Sequence, residues 1–354
     1  MRLRTQLAAL RAKRGIGAAE LARQTGVSRQ TIYAMEAARY VPNTAVALRL
    51  ARALDAAVEE IFCLETPPTA SGPAEVEMLG SAAPGMPVQI CPVGARTFGV
   101  PSVPAWWQLP PSDGVVLSKS GAKATVRLLD EEHPSNRLLI AGCDPAMSVL
   151  ARHVRPANVD LVLAGCNSSE ALRMLKNRQV HIAGTHLPSL EGLVPKGPFA
   201  VITYAEWEEG LVVASGNPKK IRGIEDLVRK DVTIVNREAG AGSRLLLDRS
   251  LKKLGIAAAA VRGYRNFAPG HLAAAWHVYA GLADGCIATQ AAARAFGLDF
   301  RTLASERYDL VMRKEHLRLP DVARLLDTLG HLKLRRELES LGGYKTNGTG
   351  RRVA

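Results

Sequence analysis

The sequence predicts a multi-domain chain: an all-α N-terminal domain, a small β-rich connector and a larger α/β domain. Three observations carry this. Residues 1–65 read as closely spaced short helices, and residues 76–130 as short β-prone pieces broken by Pro and Gly. From about residue 137, short apolar strands alternate with amphipathic helices. The domains that follow are 1–65, 66–136 and 137–354, with the stretch TPPTASGPAE, residues 66–75, as a linker.

Each element has a local reason. In the first domain Leu3, Leu7 and Leu10 recur at helical spacing, and each later helix opens near a Gly, Ser or Asn that can cap it. In the connector, PVQICPVG, GVVLSKSG and ATVRLL are the β-prone pieces. In the third domain RLLIAG precedes PAMSVLARHV, VDLVLAG precedes SSEALRMLKN, VTIVNREAG precedes SRLLLDRSLKKLG, and GCIATQ precedes AAARAFG. That alternation predicts a largely parallel sheet with helices on its faces.

Composition bounds the chemistry. The 354 residues are 47% hydrophobic but only 5% aromatic, so Ala, Leu and Val must fill most of the core. Lys and Arg number 46 against 33 Asp and Glu, a net charge of +13 that favours a polyanionic partner. The first 65 residues hold 10 of those cations and 6 acids. The five cysteines lie far apart with no CxxC pair, which argues against a disulfide framework and against a zinc site. The N-terminus has charges every few residues, unlike a signal peptide, and no run approaches the ~20 apolar residues that span a bilayer. A cytoplasmic setting and no membrane partner are expected.

Within GAAELARQTGVSRQTIYAMEAARYVPN, the apolar skeleton is Leu21, Ala22, Val27, Ile32 and Met35. Gly26 falls where a tight turn between two helices needs positive φ, and Ser28 caps the second helix. That helix exposes Arg29, Gln30, Tyr33 and Ala34. Arg29 and Gln30 suit base edges in the major groove; Ser28, Thr31 and the helix N–H groups suit phosphate. Arg39 in the turn beyond is added to this candidate interface. About 60 residues, including LARQTGVSRQTIYAMEAARYVPN and ALRLARALDAAVEEIF, resemble the XRE family of phage-repressor-like regulators. The resemblance implies double-stranded DNA as a partner and a homodimer on two half-sites. Ala38 stands where that family often has Gly.

The strand-to-helix junctions of the third domain share one chemistry. LLIAG ends in Cys-Asp144-Pro145, LVLAG ends in Cys-Asn167-Ser168-Ser169, and VTIVN runs into REAGAGSR, with Arg237, Gly242, Ser243 and Arg244. Helix N-termini offer unpaired N–H groups and partial positive charge, and small residues let a ligand approach. In an open α/β sheet such junctions lie where ligands bind. A small anion or polar molecule suits them. No GxxxxGK[ST] or GxGxxG opens a helix, and GAGSR is not the GxSxG elbow. No nucleophile–base pair stands out, so an enzyme is not expected. His181 and His186 alternate across a strand, and His271 and His277 do not share a helix face, so neither pair is expected to ligate a metal.

AGCDPAMSVLA, AGTHL, EEGLVVASGNP, IEDLVRKDVTIVNREAGAGSRLLLD, HLAAAWHVYAGLADGCIA and LDFRTLASERYDLVMRKE together resemble a periplasmic-binding-protein-like domain. The resemblance is to the form fused to helix-turn-helix regulators and related to molybdate-binding proteins. It implies two α/β lobes joined by a hinge, with crossings near GLVVASGNP and SERYDLV. It implies no cofactor, and molybdate or tungstate as effector, held by Ser168, Ser169, Thr185, His186, Ser243 and Arg244. A small organic effector such as a pterin, or a role in molybdenum-cofactor metabolism without DNA, are the alternatives.

Overall fold

The computed structural model describes residues 3–64, 74–102, 111–130, 136–186 and 198–353. The expected linker at 66–75 lies outside these except for its last two residues. The chain divides into two compact units, residues 1–71 and 72–354.

The first unit holds β1 (Leu3–Thr5), α1 (Leu7–Lys13), α2 (Ala18–Thr25), α3 (Arg29–Glu36), α4 (Thr44–Leu54), α5 (Val58–Ile61) and β2 (Phe62–Leu64), with β1 and β2 antiparallel. Leu7, Leu21, Ile32, Met35, Leu50, Leu54 and Ile61 form its buried core. Gly26 ends α2 at φ 71°, in the left-handed region that glycine adopts without penalty. The turn between α2 and α3 is fixed from outside as well, because Arg49 Nη1 donates to Thr25 O at 3.3 Å. The Arg11–Glu36 pair, 2.6 Å, ties α1 to the end of α3.

The second unit opens with β3 (Ala74–Met78), β4 (Pro87–Val93), β5 (Arg96–Pro101), β6 (Gly114–Ser120) and β7 (Lys123–Leu128), which close into a barrel. The β-prone pieces of the connector are thus a defined small fold. One side of it packs on the neighbouring sheet, where Cys91, Phe98 and Val100 join Leu139, Ala141 and Val162 in one cluster.

The remainder holds β8 (Arg137–Gly142), α6 (Met147–Val154), β9 (Asp160–Gly165), α7 (Ser168–Lys176), β10 (Ile182–Thr185), β11 (Phe199–Val213), α8 (Gly242–Lys253), α9 (Gly270–Tyr279), β12 (Gly285–Thr289), α10 (Gln290–Ala295), β13 (Asp299–Arg313), α11 (Pro320–Leu329), α12 (Leu332–Ser340) and β14 (Tyr344–Lys345). The sheet runs β12-β11-β13-β10-β8-β9. Among its described strands β8–β9 and β8–β10 are parallel, whereas β11, β12 and β13 pair antiparallel. The expected largely parallel sheet is therefore mixed. The reason is the long ladder of β11 against β13, 15 residues each. One half of that ladder extends the first lobe, built on β8–β10, α6, α7, α11 and α12; the other half extends the second, with β12, α8, α9 and α10.

Two further expectations are corrected. VTIVN makes only isolated bridges, Ile234 to Gly285 and Asn236 to Phe267, rather than a strand. Pro145 precedes α6 instead of opening it, because Asp144 Oδ1 accepts Ala146 N at 2.8 Å and fixes a turn first.

Candidate functional site

The first candidate surface is α3. Ser28 is its N-cap and accepts the Thr31 amide at 3.0 Å, so Thr31 is half-buried against the cap. Arg29, Gln30, Tyr33 and Arg39 are exposed. Arg29 lies along the helix one turn N-terminal to Tyr33, with Nη2 donating to the phenol oxygen at 3.0 Å and the guanidinium 5.4 Å from the ring centre. Arg29 Nε donates to the same oxygen at 3.2 Å, so the two side chains stand together at the start of the helix. Ala38, in the turn after α3, is held at φ 54°.

The second candidate site is the cleft between the lobes. Loops that are far apart in sequence meet there. Asn167 caps α7 through Oδ1 on Glu170 N at 3.0 Å and donates Nδ2 to Ala239 O at 3.3 Å. Ser169 Oγ donates to Gly240 O at 3.1 Å. Ser168 is buried and accepts His186 N at 3.3 Å. Thr185 is buried beside it at the end of β10. Gly242, the first residue of α8, packs on the His186 ring, and Ser243 donates its hydroxyl to Glu209 Oε1.

Beneath these loops lies a layer that sequence spacing did not bring together. His186 Nδ1 is 2.7 Å from Glu306 Oε2 and 3.5 Å from Glu209 Oε2. His271 Nδ1 is 3.8 Å from Glu209 Oε1, and its Nε2 is 3.8 Å from Cys143 Sγ. Trp207 and Tyr308 wall the layer, with ring centres 5.0 and 6.1 Å from His186. Burial disfavours charge on His186, yet the Glu209 carboxylate overcomes it and holds the imidazole well above its ordinary value. Burial likewise opposes ionisation of Glu209, and the facing His186 charge keeps its carboxyl below the usual range. Burial pushes Glu306 up, against its hydrogen bond to His186. Burial and then the charge of Arg237 keep His271 neutral, well below its ordinary value.

The other expected ligands divide. Asp144 is buried, with Oδ1 accepting Tyr344 Oη at 2.5 Å and Oδ2 without a hydrogen-bond partner among the described residues; burial pushes it up to about 6. Arg237 is buried and pairs with Glu238 at 3.1 Å, leaving Nη1 without a hydrogen-bond partner among the described residues. Arg244 is not brought to the cleft floor. It stacks on Tyr264, 4.8 Å from the ring centre, and donates to Arg237 O at 3.2 Å. The residues that sequence reading missed are Cys143, Glu209, His271 and Glu306. One signal was present: Glu208 and Glu209 are adjacent in β11, so the alternation of a strand must turn one of the two acids to the buried face.

The helix-turn-helix domain family matches residues 2–61, and the PBP superfamily domain matches residues 151–330, just over half of the chain. The chain belongs to the PBP superfamily. It carries that ligand-binding domain behind a helix-turn-helix DNA-binding domain, the arrangement of a regulator with an effector domain. The uncharacterised protein YvgK of Bacillus subtilis is 33% identical to this PBP-superfamily regulator over 243 residues, covering 65% of this chain and 78% of YvgK. An uncharacterised helix-turn-helix transcriptional regulator of Methanothermobacter thermautotrophicus is 44% identical over 64 residues, covering 18% of this chain and 93% of that one. Among solved structures, an ABC-type phosphate transport receptor from Vibrio cholerae matches with a TM-score of 0.43 and 14% identity, covering 58% of this chain and 98% of that one.

Proposed function

We propose that this protein is a one-component transcription regulator, a binding protein and not an enzyme, acting as a homodimer in the cytoplasm. Its α3 helix reads operator DNA, and a small effector taken up between the two lobes sets the affinity for that DNA. One observation carries the reading. Loops from both lobes converge on a single buried polar cluster, with Ser169 against Gly240 and Gly242 against His186. A lobe-bridging site lets ligand binding favour the closed form, and only such a differential affinity makes a switch. Non-catalytic use of the cleft is supported by Ser243. Its hydroxyl faces Glu209, a carboxylate kept ionised by His186 and therefore a weak base.

Molybdate or tungstate would gain from the α8 N-terminus and from Arg237, but would lie beside Glu209 and Glu306. Two acids are poor company for a dianion in a dry site, so the effector favoured by this floor is not a free tetrahedral oxyanion. The test starts from duplexes selected by the full-length protein from a random pool. Arg29→Ala is expected to cost about 1–3 kcal/mol on the selected sequence and to leave weak, salt-sensitive binding. Unchanged sequence preference would remove α3 as the reader. Adding molybdate, tungstate, pterins and divalent cations one at a time then identifies the compound that shifts DNA affinity. If none does, the cleft does not control DNA binding.

A further inference from the structure

Five side chains of metal-ligating type meet at the cleft floor, drawn from both lobes and the strands that join them. Among the described residues, two triads place their donor atoms within 4.8 Å of one another: Cys143, His186 and His271, and His186, Glu209 and Glu306. Bonds of roughly 2.0–2.3 Å put neighbouring donors of a tetrahedral ion about 3.3–3.8 Å apart. The observed 3.8 Å between Cys143 Sγ and His271 Nε2 is already at that spacing.

The hydrogen-bonding roles choose between the triads. His186 turns Nδ1 to Glu306 at 2.7 Å, so Nε2 is the nitrogen left for a metal. His271 turns Nδ1 towards Glu209 and Nε2 towards Cys143. His186 thus has a carboxylate bonded to its far nitrogen, the arrangement that fixes the tautomer of a metal-bound histidine, and the Glu209 carboxylate lies 3.8 Å from the far nitrogen of His271. Polar atoms on the acid and histidine of this layer are also loosely held. Glu209 Oε2 and His271 Nδ1, on residues 0% and 1% exposed, make no hydrogen bond among the described residues; their facing ion-pair atoms stand at 3.5 and 3.8 Å.

We propose that this floor binds one divalent transition-metal ion of the Zn(II), Co(II) and Ni(II) class, through Cys143 Sγ and Nε2 of His186 and His271. Thiolate and imidazole donors select that class over Mg(II) or Ca(II), which take six or more oxygens. Glu209 and Glu306 are positioning residues, and their charge offsets that of the ion. Cys143 and His186 belong to the first lobe and His271 to α9 of the second, so the ion ties the lobes together. The proposal rests on reading the cleft as the effector site, and makes the effector a cation.

Co(II) is the probe. It is titrated into the full-length, reduced, chelator-treated protein and followed by absorption. One equivalent is expected to bind, with tetrahedral d–d bands and a thiolate-to-cobalt charge-transfer band. Cys143→Ser abolishes the charge-transfer band. Glu306→Gln keeps it but weakens binding roughly 10–100-fold, the usual effect of removing a carboxylate behind a metal-bound histidine. A wild-type spectrum without the charge-transfer band overturns the proposal with no variant needed. So does a band that survives Cys143→Ser, since Cys63, Cys91, Cys166 or Cys286 would then supply the sulfur. Circular dichroism checks that each variant is folded. DNA affinity measured with and without Zn(II) separates the two claims. The cobalt signature with unmoved DNA affinity keeps the metal site and sinks the effector role. No signature, with DNA affinity moved by another compound, sinks the metal site and keeps the regulator.

Discussion

Gly242 lies so close to His186 that a Cβ on it would stand 2.2 Å from the imidazole Cε1. The two residues come from opposite lobes, so the missing side chain is what lets α8 close on the histidine that follows β10. At the start of an unconstrained helix, Gly→Ala is neutral to stabilising. Here Gly242→Ala is expected to destabilise the unit by about 1–3 kcal/mol, the usual cost of an overpacked contact. The alternative for the variant is to hold the lobes apart. Small-angle scattering and thermal unfolding of the variant check this together. Unchanged stability with unchanged dimensions would show that the lobes do not close on this contact.

Ala38 offers the opposite sign. Its φ of 54° puts a Cβ-bearing residue in the left-handed region, which costs roughly 1–2 kcal/mol, while a glycine pays some of that back in chain entropy. Ala38→Gly is expected to raise the stability of the N-terminal unit by about 0.5–1 kcal/mol and to leave DNA sequence preference unchanged. Calorimetry of the full chain reads it, and a lowered transition temperature would contradict it.

Arg137 fastens the barrel to the sheet. Its guanidinium, 8% exposed, pairs with Asp113 ahead of β6 at 2.5 Å and with Asp160 on β9 at 2.8 Å, and donates to Ile90 O on β4 at 2.8 Å. Removing one partner of a buried ionic network leaves the others uncompensated. Arg137→Met is expected to cost about 3 kcal/mol, at the low end of such losses because Asp160 keeps partial access to water. Arg137→Lys recovers only part, since one ammonium cannot hold two carboxylates and a carbonyl in a planar fork. Denaturant unfolding of both variants measures the difference, and a loss below 0.5 kcal/mol for Arg137→Met would leave the apolar contacts alone as the fastening.

How much of this was legible follows from how local each signal is. The Ser28 cap, the Gly26 turn and the apolar skeleton of α2 and α3 act within a few residues, so the sequence displays them directly. The Asn167 cap and the small turn before α8 are local too, and they do face each other across the cleft. The direction of a side chain around a helix is less local. Arg244 follows Ser243 in sequence, yet one step round α8 sends it to Tyr264 instead of Glu209. The Cys143, His186, His271, Glu209 and Glu306 layer is not local at all. Its members come from the ends of β8 and β10, from α9, and from two long strands whose antiparallel pairing no spacing rule reveals. Sequence spacing compares 181 with 186 and 271 with 277; the fold instead sets 186 beside 271, ring centres 5.7 Å apart.

His181 gives the last expectation. Its Nδ1 accepts the Leu139 amide at 3.0 Å inside the first lobe, so the folded state needs that nitrogen unprotonated. Burial, and secondarily the neighbouring His316, push its pKa down to about 4. The unfolded chain takes up this proton near the ordinary 6.5, so between 6.5 and about 4 the unfolded state binds more protons than the folded one. Stability from this group is complete above 6.5 and is lost as pH falls towards 4, about 3 kcal/mol in all. His181→Asn keeps an acceptor near the Leu139 amide and carries no titrating group. Denaturant unfolding of wild type and variant at pH 7, 5.5 and 4.5 is expected to converge as the acid limb removes the wild type's advantage. Parallel curves with a constant offset would mean that His181 does not titrate against folding.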